Sequence, residues 1–163
     1  MTNREFFIQR WDEEYPTFLK VFRALAPDKP DYRPHPRSRS AAELVWLLTL
    51  EEQADLMWVQ GRDVEWKETP PPTNLAEIIA IYEKTHREME PLLKALSDDA
   101  WEKPVRLIIP GPDAGSYEFP LGQMLWYAMV DAIHHRGQLS VYIRLQGGKV
   151  PPIYGSSADE KMT

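Results

Sequence analysis

The stretch "PLGQMLWYAMVDAIHHRGQLSVYIRLQGG", residues 120 to 148, decides how the chain is read. Leu121, Leu125, Ala128, Ala132, His135, Leu139 and Tyr142 recur at spacings of four and three, so they fall on one face of a single long helix. Pro120 suits the start of that helix, and Gly147 and Gly148 suit its end. The apolar stripe is broken by Asp131 and His135, one turn apart on the same face, with His134 on the flank. An acid and an imidazole at this spacing can hold one face of a divalent cation, but two donors make no tight site. A buried histidine hydrogen-bonded to a carboxylate fits the same residues without any ion.

Three more stretches share the helical period. Trp11, Tyr15, Phe18, Phe22 and Leu25 form one stripe, and Pro16 either kinks that helix or marks where its regular part begins. The second helix opens at Ser40 with Glu43 three residues on, a capping box, and ends at Gly61. Its first half is apolar on nearly every side, which puts it centrally in a bundle. The third opens at Asn74 and Glu77 and carries Leu75, Ile79, Tyr82, His86, Met89 and Leu93, with Pro91 expected to kink it or end it early.

The connections are longer than a simple hairpin of helices needs. Residues 26–39 hold four prolines and must run as an extended crossover. Residues 62–73 are long enough to cross one end of a bundle. Residues 105–120 contain two short strand-like runs around a Gly/Pro turn, and read as a small hairpin insertion. The tail from Lys149 is too rich in Pro, Gly and Ser for regular structure. The expected fold is all-α, a four-helix bundle with a long crossover and a small insertion before the last helix, forming one domain over residues 1–163.

Composition removes several function classes. Nineteen basic residues against 25 acidic ones give a net charge of −6, which does not suit a nucleic-acid surface. With no cysteine, disulfides, thiolate metal sites and cysteine nucleophiles are excluded. No apolar run approaches the ~18 residues of a membrane span, and the charged N-terminal stretch does not read as a signal peptide, so a cytoplasmic protein is expected. No nucleophile elbow, phosphate-cradling glycine loop or dinucleotide fingerprint is present.

Candidate donors to complete a site come from the other helices. Glu51 is in register with Leu44, Leu48 and Trp58, and Asp55 lies one turn on. Glu51 and Glu52 also fit a solvated helix edge. His86 lies on the third apolar stripe, where it fits a half-buried histidine or a ligand in the same layer as Glu51, Asp131 and His135. Trp46, Trp58, Trp126 and Tyr127 can line a pocket beside the histidines. Gly137, inside a helix, suggests a close backbone approach. Arg136 suits a surface salt bridge or a loop carboxylate, and His35 lies in a Pro/Arg loop away from any site.

At "SAAELVWLLTLEE", "NLAEIIAIYEKTH" and "HHRGQLSVYIRLQGGKVPPIYGSSAD" the chain resembles the DinB/YfiT-like family over nearly its whole length. The resemblance implies an up-down-down-up four-helix bundle, usually a homodimer, with a nickel, zinc or similar ion held by three histidines. Some relatives are thiol-dependent transferases or isomerases that use a low-molecular-weight thiol. The three ligand positions fall here on Leu47, Asp131 and His135. Leucine binds no cation, whereas Asp131 can, and Glu51 can substitute from one turn beyond Leu47.

The expected metal set is therefore Asp131, His135 and Glu51, with Trp46, Leu47 and Trp126 beside it as a cofactor-binding or ligand-binding surface. Three readings follow: a metal-dependent transferase or hydrolase with a rebuilt site, a metal-free small-ligand protein, or a dimeric scaffold. None of them includes a nucleic-acid or membrane partner.

Overall fold

The computed structural model describes residues 1–112 and 114–162; Asp113, in the expected turn, and Thr163 lie outside the described residues. Four long helices carry the structure. They are α1 (Asn3–Ala24), α2 (Ala41–Val59), α3 (Leu75–Lys94) and, after a four-residue helix α4 (Asp98–Trp101), α5 (Leu121–Leu145). Helices α1 and α2 each pack against both α3 and α5, so α1 and α2 stand at opposite corners of the bundle. The proline-rich segment between them crosses that diagonal, and it is held to α2 by the Ala41 and Ala42 amides, which donate to the Tyr32 and Pro30 carbonyls.

Local chemistry explains the helix ends. Ser40 and Glu43 form the capping box read from the sequence. The same device, Thr2 with Glu5, starts α1 far ahead of Pro16. That helix runs continuously from Asn3 to Ala24 with Pro16 inside it, and α3 likewise runs through Pro91 to Lys94. Proline lacks one N–H, but neither residue ends its helix here. At the end of α5, Gly147 adopts φ 88°. Its amide donates to the Arg144 carbonyl and that of Gly148 to the Ile143 carbonyl, which satisfies the last turn.

The expectation of an all-α chain needs one correction. The insertion before α5 is a regular hairpin, β2 (Pro104–Ile109) antiparallel to β3 (Gly115–Pro120). A two-residue strand, β1 (Val64–Glu65), joins β2 in parallel from the α2–α3 connection. Two residues carry too little alternation to be read as a strand from sequence. The Trp58 indole of α2 donates to the Arg106 carbonyl at 3.0 Å and fastens the sheet to the bundle.

The apolar core lies in two parts. One gathers Phe18, Phe22, Leu44, Leu48, Tyr82, Leu139 and Ile143. The other gathers Phe7, Trp11, Trp58, Met89, Trp101 and Leu125. Every long helix contributes polar residues near the junction of these parts: Glu14 in α1, Glu51, Glu52 and Asp55 in α2, His86 in α3, and Asp131, His135 and Arg136 in α5. A polar layer thus divides the bundle at mid-height, where apolar side chains would have been the more stabilising choice.

Candidate metal centre

Glu51, Asp131 and His135 each place one donor atom within 4.8 Å of the other two. The i, i+4 spacing on α5 brings His135 Nε2 to 3.5 Å from Asp131 Oδ2, and the packing of α2 on α5 adds Glu51. The Asp131 side chain is half-exposed and His135 is mostly covered, so the trio sits at the edge of the bundle with one side open.

Gln138 fixes the histidine. Its amide oxygen lies 3.3 Å from His135 Nδ1, and because an amide oxygen only accepts, Nδ1 carries the hydrogen. The lone pair of the neutral ring is then on Nε2, toward Asp131. The amide nitrogen of Gln138 donates to His134 Nε2 at 2.8 Å, so His134 is turned to Gln138. This orienting partner was visible in "HHRGQ" as the residue one turn from each histidine, but it was not singled out there.

Burial and the facing Asp131 carboxylate push Glu51 up to about 9, against an ordinary value of 4.5. Its Oε2 is buried without a hydrogen-bond partner. A carboxyl group this poorly solvated, facing a second carboxylate and an imidazole lone pair, fits a cation: two oxygens and one nitrogen with open space beside them.

The open space is a groove between the bundle and the sheet. A hollow of about 230 Å³ is bounded by Glu51 and Asp131 at its floor, with walls from Ala54, Trp58, Trp66, Leu107 and Tyr127. It continues between Tyr117, Phe119 and Gln123 into a second hollow of about 370 Å³. Among the described residues, no Lys or Arg lines either part.

The other sequence candidates lie elsewhere. Trp46 donates through its indole to the Thr69 carbonyl and, with Leu47, borders a separate surface hollow near Arg39 and Glu68. Trp126 donates to Asn3 Oδ1 and packs on Phe6 and Phe7. Trp58 and Tyr127 do line the groove, joined by Trp66 from β1's flank, which sequence reading passed over.

Three further expectations are corrected. Glu52 is buried rather than part of a solvated edge, and accepts from or shares a proton with His86 Nδ1 at 2.9 Å. Arg136 is 1% exposed, donating to Glu14 Oε2 at 2.5 Å and to the Tyr154 hydroxyl at 2.5 Å, so it ties the irregular tail to α1. Gly137 has nothing within 4 Å of where a Cβ would stand, so no close approach within the chain requires it.

Taken together, these features define a helical bundle with a carboxylate–histidine cluster at its waist. Residues 1–162 match the DinB family, and the chain belongs to it. Among solved structures, it is similar to a DinB-like protein of Bacillus cereus, with a TM-score of 0.73 at 21% identity, covering 92% of this chain and 97% of that one. A DinB-like protein of Bacillus subtilis, YjoA, gives a TM-score of 0.67 at 21% identity, covering 91% of this chain and 96% of that one. YfiT of Bacillus subtilis, described as a probable metal-dependent hydrolase with an unusual four-helix bundle topology, gives 0.60 at 15% identity, covering 90% and 89%. No curated protein matches the chain. Among the described residues, no helix is long and apolar enough to cross a membrane.

Proposed function

We propose that the protein is a divalent-metal-dependent enzyme of the hydrolase or thiol-transferase type, with Glu51, Asp131 and His135 as the metal ligands. The observation that carries this reading is the convergence of those three donors within 4.8 Å, two of them, Glu51 and Asp131, at the floor of an apolar groove. It explains Leu47: a carboxylate one turn further along α2 replaces the missing second-helix ligand, giving a harder donor set than three histidines.

A divalent ion held there supplies positive charge that makes a nucleophilic water or thiol available in its anionic form near neutral pH. The chain's own groups do the rest. Gln138 keeps the His135 lone pair turned to the site. Glu51 surrenders its proton when a cation takes that proton's place, and Trp58, Trp66 and Tyr127 exclude water from one side of a bound substrate.

The test is metal content. The chelator-stripped native protein, incubated with nickel, zinc or manganese and desalted, should retain metal, and His135→Ala should lose one equivalent relative to it. Equal metal in the two proteins would end the reading.

A further inference from the structure

The polar layer contains a second group of donors on the inner side of α2, of which the groove reaches only Glu51. A narrow cavity of about 30 Å³ lies between the four long helices, bordered by Glu51, Glu52, Asp55 and His86. That is enough for a single ion or one or two waters.

Asp55 lines it with only 6% of its surface exposed, and its Oδ1 is buried without a hydrogen-bond partner. Glu51 Oε2 is orphaned in the same way, one helical turn earlier on the same face. Buried polar atoms are almost always paired, so the orphaned Asp55 oxygen, on a residue that lines this cavity and not the groove, points to an occupant here.

His86 is prepared as a third donor. Its ring is sandwiched between Tyr15, at 3.5 Å and 7°, and Trp11, at 3.7 Å and 17°. Its Nδ1 faces the Glu52 carboxylate at 2.9 Å. In the neutral ring that partner holds the hydrogen on Nδ1 and leaves the lone pair on Nε2, which makes no hydrogen bond among the described residues. A histidine backed through one nitrogen by a carboxylate is the usual arrangement of a metal ligand.

The charges point to the same occupant. Glu14, which also borders the cavity, is already matched by Arg136 and Arg10, and Glu52 faces His86. Asp55 has no cationic partner among the described residues, and the Arg39 charge felt by Glu51 is already paired with Glu68, so the carboxylates of the layer lack a counter-charge that a cation supplies.

We propose that this cavity binds a second divalent cation through Asp55, His86 and the inner oxygen of Glu51, so that Glu51 stands between two metal positions. These donors lie wider apart than the Glu51–Asp131–His135 trio, the one group among the described residues that meets within 4.8 Å, so binding there requires the carboxylates to turn toward the ion about their side-chain bonds. The proposal rests on the function proposed above only through the shared Glu51.

Full-length, chelator-stripped protein is titrated with Zn²⁺ and with Mn²⁺, and bound metal is counted after desalting. The native chain should bind two equivalents, and Asp55→Asn, His86→Gln and His135→Ala one each. One equivalent in the native chain that only His135→Ala removes overturns the second site and leaves the proposed function standing. One equivalent that Asp55→Asn removes and His135→Ala does not overturns the proposed function and leaves this site. No metal at all overturns both.

Since His86→Gln removes a stacked ring and can unfold the chain, the native protein with two Mn²⁺ provides a test without substitution. Two ions sharing Glu51 give an exchange-coupled electron paramagnetic resonance spectrum. The six-line spectrum of isolated ions would overturn the shared position.

Discussion

At the scale of the residue, Glu51 controls the site's response to pH. Its folded value of about 9 lies above the ordinary 4.5, so the protonated form is favoured by folding. Its stabilising contribution is full below about 4.5 and is lost as pH rises toward 9. In the metal-free protein, Glu51→Gln keeps a neutral amide there at every pH. The thermal midpoint of the native chain should therefore fall progressively relative to the variant from pH 5 to pH 9, and a gap independent of pH would contradict the assignment. Metal binding near pH 7 should release the Glu51 proton, measurable by calorimetry in buffers of different ionisation enthalpy.

Arg136 is the opposite case, a charge whose role is structural. Replacing it with Met leaves Glu14 buried beside only Arg10 and Tyr154, and should cost about 3 kcal/mol in urea unfolding. The Asp131–His135 pair was legible in the sequence from its one-turn spacing, whereas Glu51 joined it through the family resemblance, as a donor one turn beyond Leu47. Glu52 was not legible. One residue around the helix from Glu51, it is buried only because α3 docks there with His86, which no periodicity within α2 reveals.

At the scale of the element, two glycines of α5 separate packing from propensity. A Cβ on Gly122 would stand 2.1 Å from Trp101 Cε2, and Trp101 is itself 4% exposed. Gly122→Ala should therefore destabilise by about 2 kcal/mol or more through overpacking. A Cβ on Gly137 meets nothing within 4 Å, so Gly137→Ala should stabilise by about 0.5–1 kcal/mol through helix propensity alone. Chemical denaturation of both variants reads the contrast, and a destabilising Gly137→Ala would show that the position faces something outside the monomer.

The helices announced themselves because a stripe of spacing three and four persists for several turns. The start of α1 is equally marked in "TNRE", whose Thr2 and Glu5 have the capping spacing, but Pro16 is a competing signal for a later start. Strand β1 and the short α4 were not legible. Each is too brief for a period and exists through its contacts, β1 through Leu107 and Ile108, and α4 through the packing of Trp101 on Gly122.

At the scale of the whole molecule, the sheet converts a bundle surface into a groove, and the groove's charge sets which ligand the proposed function predicts there. Its walls are Trp58, Trp66, Leu107, Tyr127 and Phe119, its floor is Glu51 and Asp131, and no basic side chain among the described residues borders it. With the outer position alone filled, a divalent ion bound to those two carboxylates leaves the floor with no net charge, so an anionic ligand gains no counter-charge while losing its hydration. A neutral ligand with an apolar body gives up water and buries surface at about 25 cal/mol per Å².

Among matched aromatic ligands, an alcohol should thus bind the protein loaded with one equivalent of metal more tightly than the corresponding carboxylate, by about 1–3 kcal/mol or one to two factors of ten. Trp58 and Trp66 lie in the walls, so quenching of tryptophan fluorescence can follow the titrations. Leu107→Lys, which places an ammonium on the wall from β2, should narrow or reverse the preference without touching the metal ligands. Equal affinity for the neutral and anionic ligands in the native protein would mean that binding occurs elsewhere than in the groove, and that the sheet serves the bundle as a brace alone.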